Sequence, residues 1–420
     1  MRRTISKYEI GSSCMSQKSI VLYLQVHQPL RVRQYTVFDI ANKHDYFDEV
    51  YRDIDRNNQH VFERVCEKSY RPMNALLEHL LKNNDDFKIS LSITGTFIEQ
   101  AEQWAPDVLE SFKRLVDTGK VEILAETYYH SLAFFYSTAE FERQVNMHRE
   151  KIFNTFGVVP AVFRNTELAY NDELAGWASR RGYKGILAEG WDDILGWRSP
   201  NHLYTAATTD GKLRLLLKNY RLSDDLAFRF GNQSWGEWPL TSHKYSQWLA
   251  NDQPNSPLIN LFMDYETFGE HQWADTGIFN FFDNFVTTWL KTSGHTFATV
   301  SEAIAQNEPA AEISMPNTVT WADTERNLSA WTGNELQQEA LRYIYALERE
   351  VLETENAGLI ADWRKLLTSD HTYYMSTKWS ADGGVHNYFS PYDSPYDAFL
   401  SYMNAVRDIR WRVMQYRKEL

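Results

Sequence analysis

Residues Ser19–Val26 read SIVLYLQV, a short and almost continuous apolar run that stops at the polar residue His27. A run of this length that is apolar on both faces is typical of a strand in a parallel sheet whose two sides are both covered. The same pattern returns along the chain, and most of the runs end at a polar or charged residue. The further candidate strands are residues 88–94, 121–125, 161–163, 185–188, 213–217, 258–263 and 296–300.

Helical patterns lie between these runs, and they carry the usual boundary signals. Pro106 opens one of them, and Ser137 or Thr138 caps another. The alternation of strand and helix predicts an α/β fold with parallel strands, and the candidate strands are compatible with a closed or nearly closed barrel. The candidate helices between the strands are residues 71–82, 106–117, 138–156 and 171–181.

The pattern changes near Pro309 and Pro316, where a polar stretch is typical of a linker. Beyond it, helical patterns cover residues 334–356 and 394–418, and we expect these helices to pack against the barrel. The predicted units are a disordered extension (1–18), a barrel that carries the catalytic site (19–306) and a C-terminal helical region (307–420).

Acidic residues outnumber basic ones, and the formal net charge of the 420 residues is −13. A protein that binds nucleic acid needs a basic surface, so the charge argues against that class and suits a neutral substrate. Cys14 and Cys66 are too few for a disulfide framework, which predicts free thiols in a reducing compartment. No secretory signal and no membrane-spanning apolar run is visible, and the sequence predicts a cytoplasmic protein.

Two carboxylates come directly after candidate strands. Glu167 lies in FRNTELAYND and Asp264 lies in MDYETFGEHQ. Taken alone, Glu167 fits a first-turn acid favoured by the helix dipole, and Asp264 fits a solvated loop. In barrels, however, the chemistry takes place where strands end. Two acids placed in this way are typical of a glycosidase. One acid protonates the leaving oxygen, and the other attacks or stabilises the anomeric carbon.

Further motifs accompany the two acids. MDYETFGEHQW, which contains Asp264, is the most specific of them, and Thr299-Val300-Ser301-Glu302 is the weakest. The others are His27-Gln28-Pro29, ITGTFIEQ (93–100), AETYYHSL around His130, the segment around Glu167, EGWDDILGWR around Trp191, WADTERNLSAWTGNE around Trp321 and TSDHTYYMSTK around His371. In this order the motifs resemble glycoside hydrolase family 57, specifically its α-amylase-like members. The resemblance extends from about residue 19 to beyond residue 400.

The resemblance implies a (β/α)7-type, incomplete TIM-like barrel and a retaining mechanism on α-glucans or maltooligosaccharides. Under that mechanism Glu167 would be the catalytic nucleophile and Asp264 the acid/base. Retaining pairs stand ~5–5.5 Å apart. We expect no cofactor and no metal.

Histidines, carboxylates and tryptophans near the motifs are candidates for substrate binding. Imidazoles and carboxylates hydrogen-bond sugar hydroxyls, and an indole ring offers a flat face on which a sugar ring stacks. For several of them plain packing is an open alternative. The candidates are His27, Gln28, Glu99, His130, Trp191, Glu266, His271, Trp273, Asp370 and His371.

Three other functions stay open. A 4-α-glucanotransferase or branching enzyme of the same family would use the same carboxylates but exclude water from the second step. A non-catalytic glucan-binding protein would keep the fold with a mispositioned pair. A metal-dependent deacetylase or mannosidase is disfavoured, because no two histidines stand at the spacing of a zinc site. The natural glucan, endo or exo action and the oligomeric state are not readable from the sequence.

Overall fold

The computed structural model describes residues 17–47, 57–253, 255–292, 294–378 and 390–419. Nearly all of the expected extension at residues 1–18, with Cys14, lies outside the described residues. Cys66 is a buried free thiol. Within the described ranges, no helix has both the length and the hydropathy needed to cross a membrane.

Short strands make up two hydrogen-bonded sheets. In the described residues the strands are β1 (Ser19–Val26), β2 (Ile89–Ile93), β3 (Val121–Ile123), β4 (Val162–Phe163), β5 (Gly185–Glu189), β6 (Tyr204–Ala206), β7 (Arg214–Lys218), β8 (Leu258–Asp264), β9 (Thr296–Phe297) and β10 (Glu312–Ile313). One sheet has the order β3-β2-β1-β8 with β9 also beside β1, and the other has the order β10-β6-β7-β5-β4. All pairs are parallel except β6 with β7.

Two junctions join the sheets into one ring. Ala125, just beyond β3, forms a parallel bridge to Phe163 in β4. On the opposite side, the backbone N–H of Asn219 donates to the carbonyl of Asn260 at 2.8 Å, which links the end of β7 to β8. The ring therefore runs through β1, β2, β3, β4, β5, β7 and β8 and returns to β1. Seven parallel strands confirm the predicted α/β fold of the (β/α)7 type.

Helices follow the strands and cover the ring. Those of the barrel are α1 (Asn58–Val65), α2 (Arg71–Asn83), α3 (Gly95–Trp104), α4 (Pro106–Asp117), α5 (Thr138–Phe156), α6 (Asp172–Arg180), α7 (Asp192–Leu195), α8 (Tyr220–Asp224), α9 (Ser242–Asn251), α10 (Ile278–Lys291) and α11 (Val300–Gln306). The C-terminal group comprises α12 (Ser329–Thr332), α13 (Glu335–Ala346), α14 (Glu348–Leu352), α15 (Ala357–Lys365), α16 (Ser369–Tyr373) and α17 (Pro395–Glu419). The predicted bounds of α4 and α5 agree with the structure.

Alternate residues of each barrel strand face opposite sides, which explains why the apolar runs are continuous. In β1, Ile20, Leu22 and Leu24 belong to the outer core beneath the helices. Val21 and Tyr23 belong to the inner core, which fills the barrel.

The same alternation sets the direction of Asp264. Leu258 and Phe262 of β8 lie in the inner core, whereas Ile259 and Leu261 lie in the outer one. Asp264 stands two residues beyond Phe262. It therefore shares the inner face and lies at the carboxyl end of the barrel.

The C-terminal helices have a core of their own, and it takes in Val32, Tyr35 and Tyr46 from the segment after β1. Asp408 of α17 accepts hydrogen bonds from the Tyr46 hydroxyl and, at 2.7 Å, from His44. The segment thus ties the helical region to the barrel, as predicted. The boundary between residues 306 and 307 stays a prediction.

Two expectations about strands differ from the structure. The run 296–300 forms a strand only at β9, because Thr299 caps α11 instead and makes a capping box with Glu302. The strands β6 and β10 are absent from the candidates. They contain three and two residues, too few to produce a recognisable hydrophobic pattern.

Asn260→Ala should lower the free energy of unfolding by about 2–4 kcal/mol, measured by urea denaturation. The Asn260 side chain is fully buried, and its Nδ2 donates to the carbonyls of Leu217 and Pro200, both at 3.0 Å. Its loss leaves both carbonyls without this donor where β7 meets β8. The control Asn284→Ala, exposed on α10, should change the free energy by less than about 0.5 kcal/mol. Equal denaturation midpoints for the two variants would contradict this role of Asn260.

Candidate active site

The carboxyl ends of the parallel strands bring polar residues to one rim of the barrel. His27 follows β1, Glu126 follows β3 and Arg164 follows β4. Lys218 and Asp264 are the last residues of β7 and β8. Buried polar groups therefore meet at one end of the barrel, where their charges act strongly on each other.

Glu167 lies in a tight turn beyond β4, and its backbone is strained. The φ angles of Glu167 and Leu168 are 57° and 55°, in the left-handed region that residues other than glycine rarely adopt. Asn165 braces the turn by donating through Nδ2 to the carbonyl of Ala169 at 3.0 Å. Strain of this kind persists where the surroundings over-determine a conformation, and it directs the Glu167 carboxylate to one place.

Three donors hold the Glu167 carboxylate. The indole N–H of Trp321 donates to Oε2 at 3.0 Å, and the Ser369 hydroxyl donates to Oε1 at 3.1 Å. Nε2 of His130 lies 3.2 Å from Oε1. The Glu167 side chain keeps 15% of its surface exposed, so it is oriented by the protein and still open to a ligand.

The charges around Glu167 favour its ionised form. Burial alone would raise the pKa of Glu167, but the hydrogen bond and charge of His130 outweigh it and the pKa is lowered. Burial alone would lower the pKa of His130, yet its contacts with Glu126 and Glu167 raise it to about 9. At neutral pH this pair is therefore an imidazolium and a carboxylate.

Asp264 has the opposite tendency. Burial first, and then the negative charge of Glu167, raise the pKa of Asp264 to about 6, against the opposing charges of Arg164 and Lys218. The two acids at the rim thus differ in protonation: Glu167 is an anion, and Asp264 holds its proton to higher pH than a free aspartate. Acids whose pKa values are pushed apart can divide the roles of nucleophile and acid between them.

His27 forms a second network beside Glu167. Its Nδ1 lies 2.9 Å from the Thr94 hydroxyl oxygen, its Nε2 lies 3.1 Å from Oδ2 of Asp370, and its ring stacks on His130 with centroids 4.1 Å apart. Burial, and then the charge of His130, lower the pKa of His27. The structure therefore brings His27, His130 and Asp370 together.

These three side chains each place one potential metal ligand atom within 4.8 Å of the others. The spacing of histidines in the sequence did not reveal this group, because spacing compares only residues that are close together in the chain. However, both nitrogens of His27 face hydrogen-bonding partners, and stacked rings 22° from parallel do not direct their lone pairs at one point. We therefore interpret His27 and Asp370 as a hydrogen-bonded pair on which the ring of His130 stacks.

Glu266, Gln28 and Glu99 lie around this network. Glu266 accepts hydrogen bonds from the Tyr70 hydroxyl and, at 3.4 Å, from the backbone N–H of His27. Burial and the charge of Asp264 raise the pKa of Glu266 to about 8, so it is mostly neutral. Gln28 is buried, whereas Glu99 is partly exposed on α3 and accepts from the Tyr128 hydroxyl at 2.7 Å.

The remaining candidates have other surroundings. Trp273 is half exposed, with Nζ of Lys68 5.0 Å from its ring centroid, and Trp191 borders the core around β5. Burial lowers the pKa of His271 to about 4. His371 lies in the core of the helical region, where its ring contacts Tyr402 and its Nε2 lies 3.1 Å from the Lys365 carbonyl oxygen. Their predicted roles in substrate binding stay predictions.

Arg164, Lys218, Glu126, Trp321 and Ser369 were not among the candidates. Arg164 is fully buried with its guanidinium carbon 4.9 Å from the Trp321 ring centroid, and its nitrogens have no hydrogen-bond partner among the described residues. Lys218 approaches the same ring at 5.4 Å. A polar residue at a strand end was the signal for Glu126, Arg164 and Lys218. Trp321 and Ser369 come from outside the barrel strands, and only the tertiary structure reveals their bonds to Glu167.

Comparison with known proteins assigns the chain to a family. Residues 21–316 match the model of glycosyl hydrolase family 57. A protein of Methanocaldococcus jannaschii that carries the name "Putative alpha-amylase" is 42% identical over 407 residues, which cover 94% of this chain and 85% of that protein.

Solved structures with low sequence identity share the fold. The branching enzyme of Pyrococcus horikoshii superposes with a TM-score of 0.66 at 13% identity, over 88% of this chain and 87% of that one. The alpha-amylase of Thermotoga maritima superposes with a TM-score of 0.57 at 13% identity, over 96% of this chain and 98% of that one. The 4-alpha-glucanotransferase of Thermococcus litoralis superposes with a TM-score of 0.63 at 15% identity. The match covers 86% of this chain and 59% of that enzyme. The chain belongs to glycosyl hydrolase family 57 and is a glycoside hydrolase.

Proposed function

We propose that the protein is a retaining hydrolase of α-1,4-linked glucans, similar in activity to an α-amylase. The observation that carries the proposal is the pair of acids at the rim: Glu167 is held as an anion by three donors, and Asp264 has a raised pKa. The name of the relative from Methanocaldococcus jannaschii supports hydrolysis over transfer. A net charge of −13 is consistent with a neutral glucan.

The reaction takes place in two displacements. In the first, Asp264 gives its proton to the glycosidic oxygen while Glu167 attacks the anomeric carbon, so the leaving glucan departs and a β-linked glycosyl ester forms. In the second, the Asp264 carboxylate takes a proton from water, the water oxygen attacks the same carbon, and the ester bond to Glu167 breaks. Two inversions return the α configuration.

The groups around the pair bind the sugar and orient the nucleophile. Trp321 and Ser369 restrict the Glu167 carboxylate to one rotamer, which keeps its attacking oxygen in place. His27 and Asp370 keep 9% and 22% of their side-chain surface exposed, so their polar edges can hydrogen-bond hydroxyls of the reacting ring.

Glu167→Gln should reduce kcat on maltooligosaccharides by at least about 10³-fold, because no covalent intermediate forms. Asp264→Asn should reduce it by about 10²–10⁴-fold, because the leaving oxygen is no longer protonated. The controls Glu150→Gln and Asp117→Asn change exposed acids on α5 and α4 and should keep the activity of the wild type. Undiminished hydrolysis by Glu167→Gln would remove Glu167 from the mechanism.

Azide distinguishes the two roles in the corresponding alanine variants, with an aryl α-maltoside whose leaving group needs no proton. Azide should restore turnover of Asp264→Ala and yield the α-glycosyl azide, since it attacks the glycosyl ester after one inversion. With Glu167→Ala it attacks the substrate directly and yields the β-glycosyl azide. Interchanged configurations would reverse the assignment.

The pH profile of kcat/KM should be bell-shaped, with its alkaline limb near pH 6. Activity requires protonated Asp264, whose pKa is raised to about 6, and ionised Glu167, whose pKa is lowered. Arg164 lowers both pKa values, so Arg164→Met should move both limbs to higher pH. Arg349→Met, which removes an exposed arginine of α14, is the control and should leave the profile unchanged. An alkaline limb that stays in place in Arg164→Met would show that Arg164 does not act on Asp264.

Product analysis separates hydrolysis from transfer. With maltoheptaose we expect products shorter than the substrate, and NMR during the first turnovers should show the α anomer formed before mutarotation. Products longer than maltoheptaose, formed at a rate comparable with the shorter ones, would show that the enzyme is a transferase.

A further inference from the structure

Glu126 is a fully buried carboxylate that the proposed mechanism does not use. It lies just beyond β3, and Nε2 of Gln25 lies 3.2 Å from each of its carboxylate oxygens. Its backbone N–H donates to Nδ1 of His148 at 3.3 Å. On the side of the active site, its Oε2 lies 3.6 Å from Nδ1 of His130.

His130 stands between two carboxylates. Its Nδ1 faces Glu126 at 3.6 Å and its Nε2 faces Glu167 at 3.2 Å. A neutral imidazole carries one N–H and one lone pair, so one of the two contacts would set a lone pair against a carboxylate. An imidazolium presents an N–H to both carboxylates. Its Nε2 hydrogen-bonds Glu167, and its Nδ1 makes a charge contact with Glu126 at 3.6 Å, beyond hydrogen-bond distance. The geometry therefore favours the cation at His130.

The backbone and the neighbouring charges hold this arrangement. His130 has a φ of 52°, and its carbonyl accepts from the backbone N–H of Ser369 at 2.9 Å. Further titratable side chains face His130 and its two carboxylates: Arg164 just after β4, His148 from α5, Asp264 at the end of β8, Tyr23 from β1, His27 stacked on the ring, and Asp370 and Tyr373 from α16. Arg164 opposes a charge on His130, so the two carboxylates must supply the compensation.

We propose that Glu126 is a positioning residue that keeps His130 an imidazolium through both half-reactions, so that the donor to Glu167 never changes its protonation state. The proposal rests on the proposed function, in which Glu167 becomes a neutral glycosyl ester. At that stage Glu167 no longer balances the charge of His130. The Asp264 carboxylate formed in the same step makes no ion pair with His130 among the described residues, so a buried cation without another direct partner would lose its proton. The carboxylate of Glu126 balances it instead. The imidazolium is then in place to stabilise the Glu167 carboxylate as it leaves the sugar in the second step.

The first test measures the titration of His130 by NMR on the full chain with ¹³C-labelled histidine. The His130 signal is assigned by its loss in His130→Gln. Glu126→Gln should lower the titration midpoint of His130 by more than about 1 pH unit, whereas Glu126→Asp, which retains the charge, should lower it less. An unchanged midpoint in folded Glu126→Gln overturns the proposal.

A matched control comes from the same strand. Glu122 of β3 alternates with Val121 and Ile123 of the outer core, so it lies on the inner face of the barrel, four residues before Glu126 and away from the rim. There it accepts hydrogen bonds from Ser90 and Ser301. Glu122→Gln therefore removes a carboxylate from β3 without changing Glu126, His130 or Glu167. It should leave the titration of His130 unchanged.

The second test separates the two half-reactions with an aryl α-maltoside. In Glu126→Gln the second step should become rate-limiting, so kcat should fall about tenfold and KM should fall with it, while kcat/KM changes little. A fall in kcat/KM at constant KM would indicate a structural role only and would overturn the proposal.

A double-mutant cycle tests the coupling of Glu126 to His130, and Glu126→Asp takes the place of Glu126→Gln where the latter does not fold. In the His130→Gln background no buried cation needs balancing, so Glu126→Gln should have no further effect on kcat. Additive losses in the two variants would overturn the proposal. Active Glu167→Gln would instead refute the proposed function, whatever the titration of His130 shows.

Discussion

Closing seven parallel strands into a ring places the carboxyl end of every strand on the same rim, and the site depends on this constraint. Each strand has apolar residues on both faces, so its side chains pack inward and outward until the strand ends. The first polar residues after that point, such as His27, Glu126 and Arg164, then lie together although they are far apart in sequence. They share an environment of low dielectric in which each charge alters its neighbours.

Burial raises the pKa of both acids, and their different partners then make the two pKa values differ. Burial disfavours the charge of Glu167 and of Asp264 alike. Glu167 is adjacent to a protonated His130 and receives two further hydrogen bonds. The negative charge of Glu167, in contrast, raises the pKa of Asp264. One anion and one proton donor therefore coexist in a single cleft. The roles of the two acids in the proposed mechanism follow from this difference.

The barrel alone does not complete the site. Ser369 and Asp370 come from α16 of the C-terminal region, and Trp321 comes from the segment that precedes α12. These residues contact Glu167 and His27. The core of the helical region takes in residues of the segment after β1, and this packing fixes α16 at the rim. Packing between the two parts of the chain thus sets the hydrogen bonds of the nucleophile.

The sequence by itself indicated parallel strands compatible with a barrel and the two acids proposed for catalysis. The period and the length of the apolar runs predict parallel strands, and Glu167 and Asp264 follow two of these runs in the sequence. Only the tertiary structure decided the partners. His130 lies between Glu126 and Glu167, and Trp321 donates to Glu167, because strands and loops distant in sequence meet at one rim. Local patterns record which face of an element is apolar, but not which side chains meet across a cleft.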